Sequence, residues 1–470
     1  MSSPSLRLYH RLPSPARSLA ATLRGWYLRW SRYGRETPRL VAEAQEREHW
    51  SAAQWDAWRQ ERLGYVLHRA ATRVPYYRAQ WAERRRRGDH ASWEILGNWP
   101  ILDNERVREN PAAFIADDRN PRWMFNEYTS GTTGKPLVLW RTHRTMRSLY
   151  ALSLARTRAW HGVSRRDRWA ALGGQLVVPA TRRRPPFWVW NAALRQLYMS
   201  TYHLAPDLVP HYLDALRRYE IVYLAGYSSS LYALAHEVLR LGRTDVTMRV
   251  AITSAEPLPA WERETIAAAF GCPVRETYGM SEAVAWASEC EAGTLHLWPE
   301  VGMIEVLANG RGTAPGEFGE FICTGLLNAD FPLIRCRLGD SGRLGASHGV
   351  CACGRTLPAL AAVDGRTNDL LLTRDGRRVA WFNPVWYGLP VRQGQIVQEA
   401  LDRIRVRYVP AAGFSVETRH LIEQRLRERI GAVQVVLEEV PEIPRGANGK
   451  FRAVVCALPA MDRVAAAGGR

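Results

Sequence analysis

Between residues 221 and 277 short apolar runs alternate with helical stretches, and no other feature restricts the architecture open to this chain so strongly. Ile221-Val222-Tyr223-Leu224 reads as a buried strand, Ser230 to Leu241 as a helix and Met248 to Thr253 as a second strand. Pro259 to Phe270 reads as another helix and Pro273 to Thr277 as a third strand. Strands that alternate with crossover helices predict an α/β fold with a parallel-rich sheet. Ligands of such sheets lie beyond the carboxyl ends of the strands. Here those ends carry Gly226-Tyr227, Ser254-Ala255-Glu256-Pro257 and Tyr278-Gly279-Met280-Ser281-Glu282. They are small, aromatic or polar, as a nucleotide-sized site requires.

Of the chain's 64 basic residues only two are lysine, Lys135 and Lys450, and each directly follows a glycine. An arginine-rich chain that keeps a compact, rotatable ammonium at two glycine-rich places points to phosphate chemistry there. Lys135 ends Tyr128-Thr129-Ser130-Gly131-Thr132-Thr133-Gly134-Lys135-Pro136, whose hydroxyls and amides can close around a polyphosphate. The run is not a Walker loop: two residues separate its glycines where that motif needs four, and Pro136 follows the lysine in place of a helix start. Trp123-Met124-Phe125 and Leu137-Val138-Leu139-Trp140 predict a strand on either side of it. Lys450 ends Pro444-Arg445-Gly446-Ala447-Asn448-Gly449-Lys450.

At 470 residues the chain suggests two or three domains, one of them large. A formal charge of +18 raises the question of nucleic acid, but the arginines are scattered among acids and form no aromatic-interleaved stripe. The expectation is a generally basic surface with no specific nucleic-acid partner. Arg84 to Arg87, between Glu83 and Asp89, read as a solvated helix end. No apolar run reaches the roughly 20 residues of a membrane span, and no signal peptide is discernible. An odd count of seven cysteines argues against a disulfide framework, so a cytoplasmic setting is expected. Residues 16–32 place Leu19, Leu23, Trp26, Tyr27 and Trp30 at helical spacing among Arg17, Arg24, Arg29 and Arg32. Such a helix either docks on the protein body or lies peripherally on an anionic membrane.

From about 41 to 73 the pattern is helical. The C-terminal stretch predicts a hairpin around Asp375-Gly376, strands at Ile404–Val409 and Val433–Leu437, and a helix over Val416–Ile430 capped by Ser415 and closed by Gly431. The expected organisation is a basic amphipathic segment over 1–34, a large domain over 35–364, a hinge at 365–369, a small α+β domain over 370–460 and a tail over 461–470.

Six segments in this order, YTSGTTGKP at 128–136, SAEPL at 254–258, ETYGMSE at 276–282, RCRLGD at 335–340, GRTND at 365–369 and PRGANGK at 444–450, resemble the adenylate-forming enzyme superfamily. The resemblance spans roughly residues 35–458 and is strongest to phenylacetate–CoA ligase-like proteins, within them to the CapK-like branch. It implies a large AMP-binding domain with a small mobile α+β domain. The implied reaction joins ATP to a carboxylic acid, giving an acyl-adenylate and pyrophosphate, with transfer of the acyl group by default to CoA. It further implies that the Thr129–Lys135 loop wraps the β- and γ-phosphates and that Ser254, Ala255 and Glu256 line the adenine edge. Tyr278, with Gly279, packs near the adenine, Ser281 touches the α-phosphate and Glu282 holds Mg²⁺. By the same resemblance Asp340 is expected to accept hydrogen bonds from the ribose hydroxyls, with Arg337 as that motif's basic residue. Arg366 belongs to the hinge, where Asn368 replaces the usual acidic residue and Asp369 follows, and Lys450 stabilises charge at the carboxylate and α-phosphate.

An acyl pocket is expected from Gly173-Gly174-Gln175, Pro185-Pro186-Phe187-Trp188, Tyr202-His203 and Tyr227, although aromatics in a tryptophan-rich chain also serve as core. Cys290, His296, Cys351 and Cys353 supply three thiolates and an imidazole, a donor set for a closed structural Zn²⁺ site. Cys272, Cys323, Cys336 and Cys456 read as core. Other readings stay open at this level: an amine, carrier thiol or sugar acceptor, an adenylyl transferase of the same fold, or an inactive basic surface-binding protein. Substrate identity and oligomeric state are not legible.

Overall fold

The computed structural model describes residues 4–128, 137–179, 182–256, 258–308, 310–345, 350–364, 371–375, 377–379, 382, 385–386, 389–441, 443 and 453–458. The alternation read from the sequence is the centre of a 14-stranded sheet. Gln196–Ser200, Trp169–Gly173, Tyr223–Tyr227, Ala251–Ser254 and Val274–Gly279 lie side by side and all run parallel. Helices Val209–Arg218, Ser228–Arg240 and Ala260–Phe270 supply the apolar residues that pack with these strands into one core. Beyond Val274–Gly279 the sheet turns antiparallel through Trp286–Glu289, Leu295–Leu297, Ala359–Asp364 and Cys336–Leu344. A second core lies there, built with residues of helices Ala52–Arg73 and Pro75–Arg86.

The helical pattern over 41–73 is broken in two, Thr37–Arg47 and Ala52–Arg73. Ser51 ends the run: its Oγ accepts from the Gln54 amide while the Gln54 side chain accepts from the Ser51 N–H, a reciprocal cap that starts a new helix. Trp123 sits in a short 3-10 turn, so the strand begins at Phe125 and runs to Tyr128, paired with Val138–Arg141. The small domain packs helix Val416–Ile430 with strands Gln434–Glu439, Arg403–Pro410, Val391–Ala400 and Val454–Cys456, in that order. Ser415 and Gly431 stand at the two ends of this helix as expected. Tyr202 of the large sheet's side joins the small domain's apolar cluster, and Arg377 donates to its carbonyl oxygen and, at 3.2 Å, to that of Arg429.

A buried ion network holds the N-terminal helices to this frame. Arg156, fully buried, donates bidentately to Glu300 at 2.7 and 2.8 Å and approaches Glu48 at 3.6 Å. Glu48 also accepts from Trp160 Nε1 and Arg355 Nε, each at 2.9 Å. Removing one partner strands charge in the interior, whereas removing the matched pair does not. Arg156→Leu is therefore expected to cost roughly 3–5 kcal/mol, and adding Glu300→Leu to recover part of it, as read from urea midpoints.

Candidate active site

Three chain turns meet at the carboxyl edge of the parallel strands. The strand Ala251–Ser254 leads into Ala255, which adopts φ +68°, and Glu256 then accepts from the Ser229 N–H at 3.1 Å at the start of helix Ser228–Arg240. A left-handed backbone at a non-glycine residue is strain that surrounding structure must hold in place. The second such residue here is Ala283, φ +51°, immediately after Ser281-Glu282. Strand Val274–Gly279 delivers Tyr278, whose hydroxyl donates to Asp340 Oδ2 at 3.1 Å. The adenine- and ribose-facing residues expected from the sequence are thus in direct contact. Gly279 is required sterically: a Cβ there would lie 2.9 Å from the Trp286 ring.

Arg141 was not singled out by the sequence, yet it joins two parts of the site. It ends the strand Val138–Arg141 and is buried, and its guanidinium donates both to Glu127 on the paired strand and to the Ser281 carbonyl oxygen. The hairpin that leads into and out of the 129–136 loop is therefore fastened to the turn carrying Ser281 and Glu282. Thr129, Ser130, Gly131, Thr132, Thr133, Gly134 and Lys135 themselves lie outside the described residues, as do Arg366, Asn368, Asp369 and Lys450. Arg337 pairs with Asp103 at 3.2 Å and with Glu320 at 3.0 Å.

The expected acyl-pocket residues divide. Tyr202 donates to the Gly174 carbonyl oxygen at 2.8 Å, and Tyr198 crowds Gly173, where a Cβ would sit 2.7 Å from its hydroxyl. Burial raises the pKa of Tyr227 well above that of a free phenol, with the charges of Tyr198 and Tyr202 adding to the effect. Gln175 stands exposed at the end of this Gly173–Gln175 loop. His203 and Phe187 belong to the interior instead. Their rings stack at 4.8 Å, His203 Nδ1 pairs with Ser200 Oγ at 2.8 Å, and Nε2 faces the Pro179 carbonyl oxygen at 3.1 Å. With both nitrogens used and burial, then Arg377, lowering its pKa to about 4, His203 is a neutral structural residue.

On the far side of the sheet Cys290, His296, Cys351 and Cys353 place their ligand atoms within 4.8 Å of one another. His296 Nδ1 lies 2.9 Å from the Leu357 carbonyl oxygen, which fixes its proton there and leaves Nε2 as a lone pair 3.5 Å from Cys353 Sγ. Burial holds the Cys290 thiol up near 11, whereas at Cys351 burial is outweighed by hydrogen bonding with the Cys353 amide and with Thr294, and the thiol is lowered to about 6. The donor set suits a closed tetrahedral ion. The other four cysteines are buried, and all seven are free thiols.

Tyr278, Asp340 and the Ser281-Glu282 turn thus gather at the strand ends where a parallel sheet takes its ligands. Residues 56–310, more than half of the chain, match the family model for AMP-binding enzymes, and the chain belongs to that family as an AMP-forming ligase. Residues 371–457 match the CapK C-terminal domain. Within the superfamily the chain falls in the branch of CapK and the phenylacetate–CoA ligases. It is 27% identical to Protein CapK of Staphylococcus aureus over 76% of this chain and 79% of that protein. To the phenylacetate-coenzyme A ligase of Pseudomonas putida it is 26% identical, over 68% and 73%. A solved structure of 2-hydroxyisobutyryl-CoA ligase, in complex with 2-HIB-AMP and CoA in the thioesterification state, shares the fold with a TM-score of 0.55. There the identity is 20%, over 87% of this chain and 91% of that one.

If Arg141 sets the spacing between loop and turn, Arg141→Met should lower pyrophosphate release by roughly ten- to a hundredfold, with Arg141→Lys recovering little. A fall in thermal stability with unchanged kcat and KM for ATP would remove this positioning role.

Proposed function

We propose that this ligase joins a carboxylic acid to AMP and then passes the acyl group to CoA. The observation that carries this reading is the Tyr278–Asp340 contact beside the Arg141-fastened Ser281-Glu282 turn. In the first half-reaction a carboxylate oxygen attacks the α-phosphorus and the bond to the bridging oxygen breaks, so pyrophosphate leaves. Both reactants are anions, so the protein's task is positioning and charge neutralisation. Tyr278 and Asp340 hold the nucleoside, Ser281 meets the α-phosphate, and Thr129–Lys135 encloses the departing phosphates. Lys450, brought by the small domain, offsets charge on the carboxylate and α-phosphate. Glu282 would hold Mg²⁺, which when bound neutralises charge on the pyrophosphate. In the second half-reaction the thiol sulfur attacks the acyl carbon, AMP leaves and the thiol proton passes to solvent.

The acid is held against Tyr198 and Tyr227, which favours an apolar or aryl acid. No helix among the described residues is long and apolar enough to cross a membrane, and we place the reaction in the cytoplasm. Lys450→Ala should cut pyrophosphate release by roughly a hundredfold or more while largely sparing acyl transfer from a presynthesised adenylate. Equal loss of both half-reactions would overturn the role given to Lys450, and a product in which AMP stays attached to an acceptor hydroxyl would replace acyl transfer by adenylyl transfer.

We also propose that Cys290, His296, Cys351 and Cys353 hold a structural Zn²⁺. Their mutual distances and the His296–Leu357 bond support it. Four protein ligands leave no open position, so its contribution is to folding. Elemental analysis should find zinc stoichiometric with the chain and lost in Cys351→Ser/Cys353→Ser, with a lowered melting temperature. Purified wild-type protein without zinc would refute this.

A further inference from the structure

Helix Ser14–Arg32 is seated with its sides reversed relative to an ordinary surface helix. Its small and polar residues face the protein. Gly25 and Ser31 are buried, Ser18 Oγ accepts from the Trp190 N–H at 3.3 Å, and Thr22 Oγ1 accepts from the Ala192 N–H at 3.1 Å. A Cβ on Gly25 would lie 2.1 Å from Asn191 Oδ1, so the close seat depends on glycine. The large apolar residues face outward instead: Leu19, Leu23, Trp26 and Trp30 are each 56–63% exposed, with Tyr27 beside them. At 3.6 residues per turn these four fall within a stripe about 60° wide. Arg29 flanks it on one side and Arg24 on the other, their guanidinium groups lying over the rings of Trp26 at 5.3 Å and Tyr27 at 4.8 Å.

The charge around this stripe is mainly positive, and Glu36 at the C-terminal end is paired with Arg147 at 2.7 Å. Residues 1–35 contain seven arginines and neither aspartate nor glutamate. Arg39, Arg147 and Arg168 each pair with a carboxylate, but among the described residues no ion pair engages Arg24, Arg29 or Arg165. At the helix's C-terminal end an open cleft of about 240 Å³ is lined by Trp26, Arg29, Trp30, Tyr33, Gly34 and Arg165. Two guanidinium groups among aromatic rings suit a phosphate-bearing headgroup. A second copy of the chain would bring one arginine cluster against another. An anionic bilayer offers apolar depth for the stripe and counter-charge for its flanks.

We propose that this helix docks the enzyme on the surface of an anionic membrane, with Leu19, Leu23, Trp26, Tyr27 and Trp30 at the acyl-chain boundary and Arg24, Arg29 and Arg165 among the headgroup phosphates. The docked face adjoins the nucleotide site. Tyr27 meets Phe125 at 6.1 Å and Trp30 meets His143 at 4.7 Å, and Phe125 opens the hairpin that brackets the 129–136 loop.

The test is sedimentation of the full-length protein with vesicles of phosphatidylcholine alone or mixed with phosphatidylglycerol. The wild type should bind the mixed vesicles roughly tenfold or more tightly than the neutral ones and weaken as salt rises. Leu19→Ser/Leu23→Ser/Trp26→Ser should lose about tenfold or more of that binding at an unchanged melting temperature. Arg24→Gln/Arg29→Gln, altering exposed groups only, should lose the preference for phosphatidylglycerol. Failure of the wild type to bind either vesicle, or equal binding by both variants, would overturn the proposal. So would a dimer in light scattering that the triple variant abolishes, since the stripe would then belong to a second copy. None of these readouts depends on which acid or acceptor the enzyme uses.

Discussion

A carboxylate with almost no solvent, Glu48, is the point on which the two halves of the large domain depend. It is 3% exposed and stands where helix Thr37–Arg47 ends, meeting Arg156 and Trp160 from one helical stretch and Arg355 from a distant part of the chain. A charge in that position is tolerable only when every partner is in place, so the network selects one arrangement of the N-terminal helices on the sheet. The same carboxylate reaches the cysteine cluster. Arg355 follows Cys353-Gly354, and the Thr356 amide donates to the Glu48 carbonyl oxygen at 2.9 Å. The cysteine loop is thereby clamped to the helical layer at one end and to the strands bearing Cys290 and His296 at the other.

The parallel strands then do for the nucleotide site what the ion network does for the helices. They deliver three turns to one edge, and the backbone accepts strain at Ala255 and Ala283 to aim the residues between. Donors and acceptors set in place before the substrate arrives cost nothing to reorganise during reaction. This suits a reaction in which two anions must be pressed together.

Much of this was legible locally. The strand–helix alternation over 221–277 and the Ser415 and Gly431 caps depend on residues near one another in sequence, and the structure forms elements of the same type there within a few residues. What stayed hidden depends on distant partners. The break after Arg47 is an exception, since the Ser51–Gln54 cap that starts the next helix is local. The strand Val391–Ala400 was missed because its Arg392-Gln393-Gly394-Gln395 start has no apolar alternation, although it is one of the two central strands of the small sheet. Arg141 looked like one arginine among many. Only its reach across 140 residues to the Ser281 carbonyl oxygen distinguishes it. His203 failed in the opposite direction, since an aromatic neighbourhood reads the same whether it lines a cavity or fills one.

That reach of Arg141 has a mechanical side. Hairpin and turn are riveted by one planar group that forms several directed bonds at once, so strand Val138–Arg141 and the backbone at Ser281 are held as one body. Displacement of either is therefore passed to the other. Two segments 140 residues apart in sequence thereby behave as thumb and fingers driven by a common tendon.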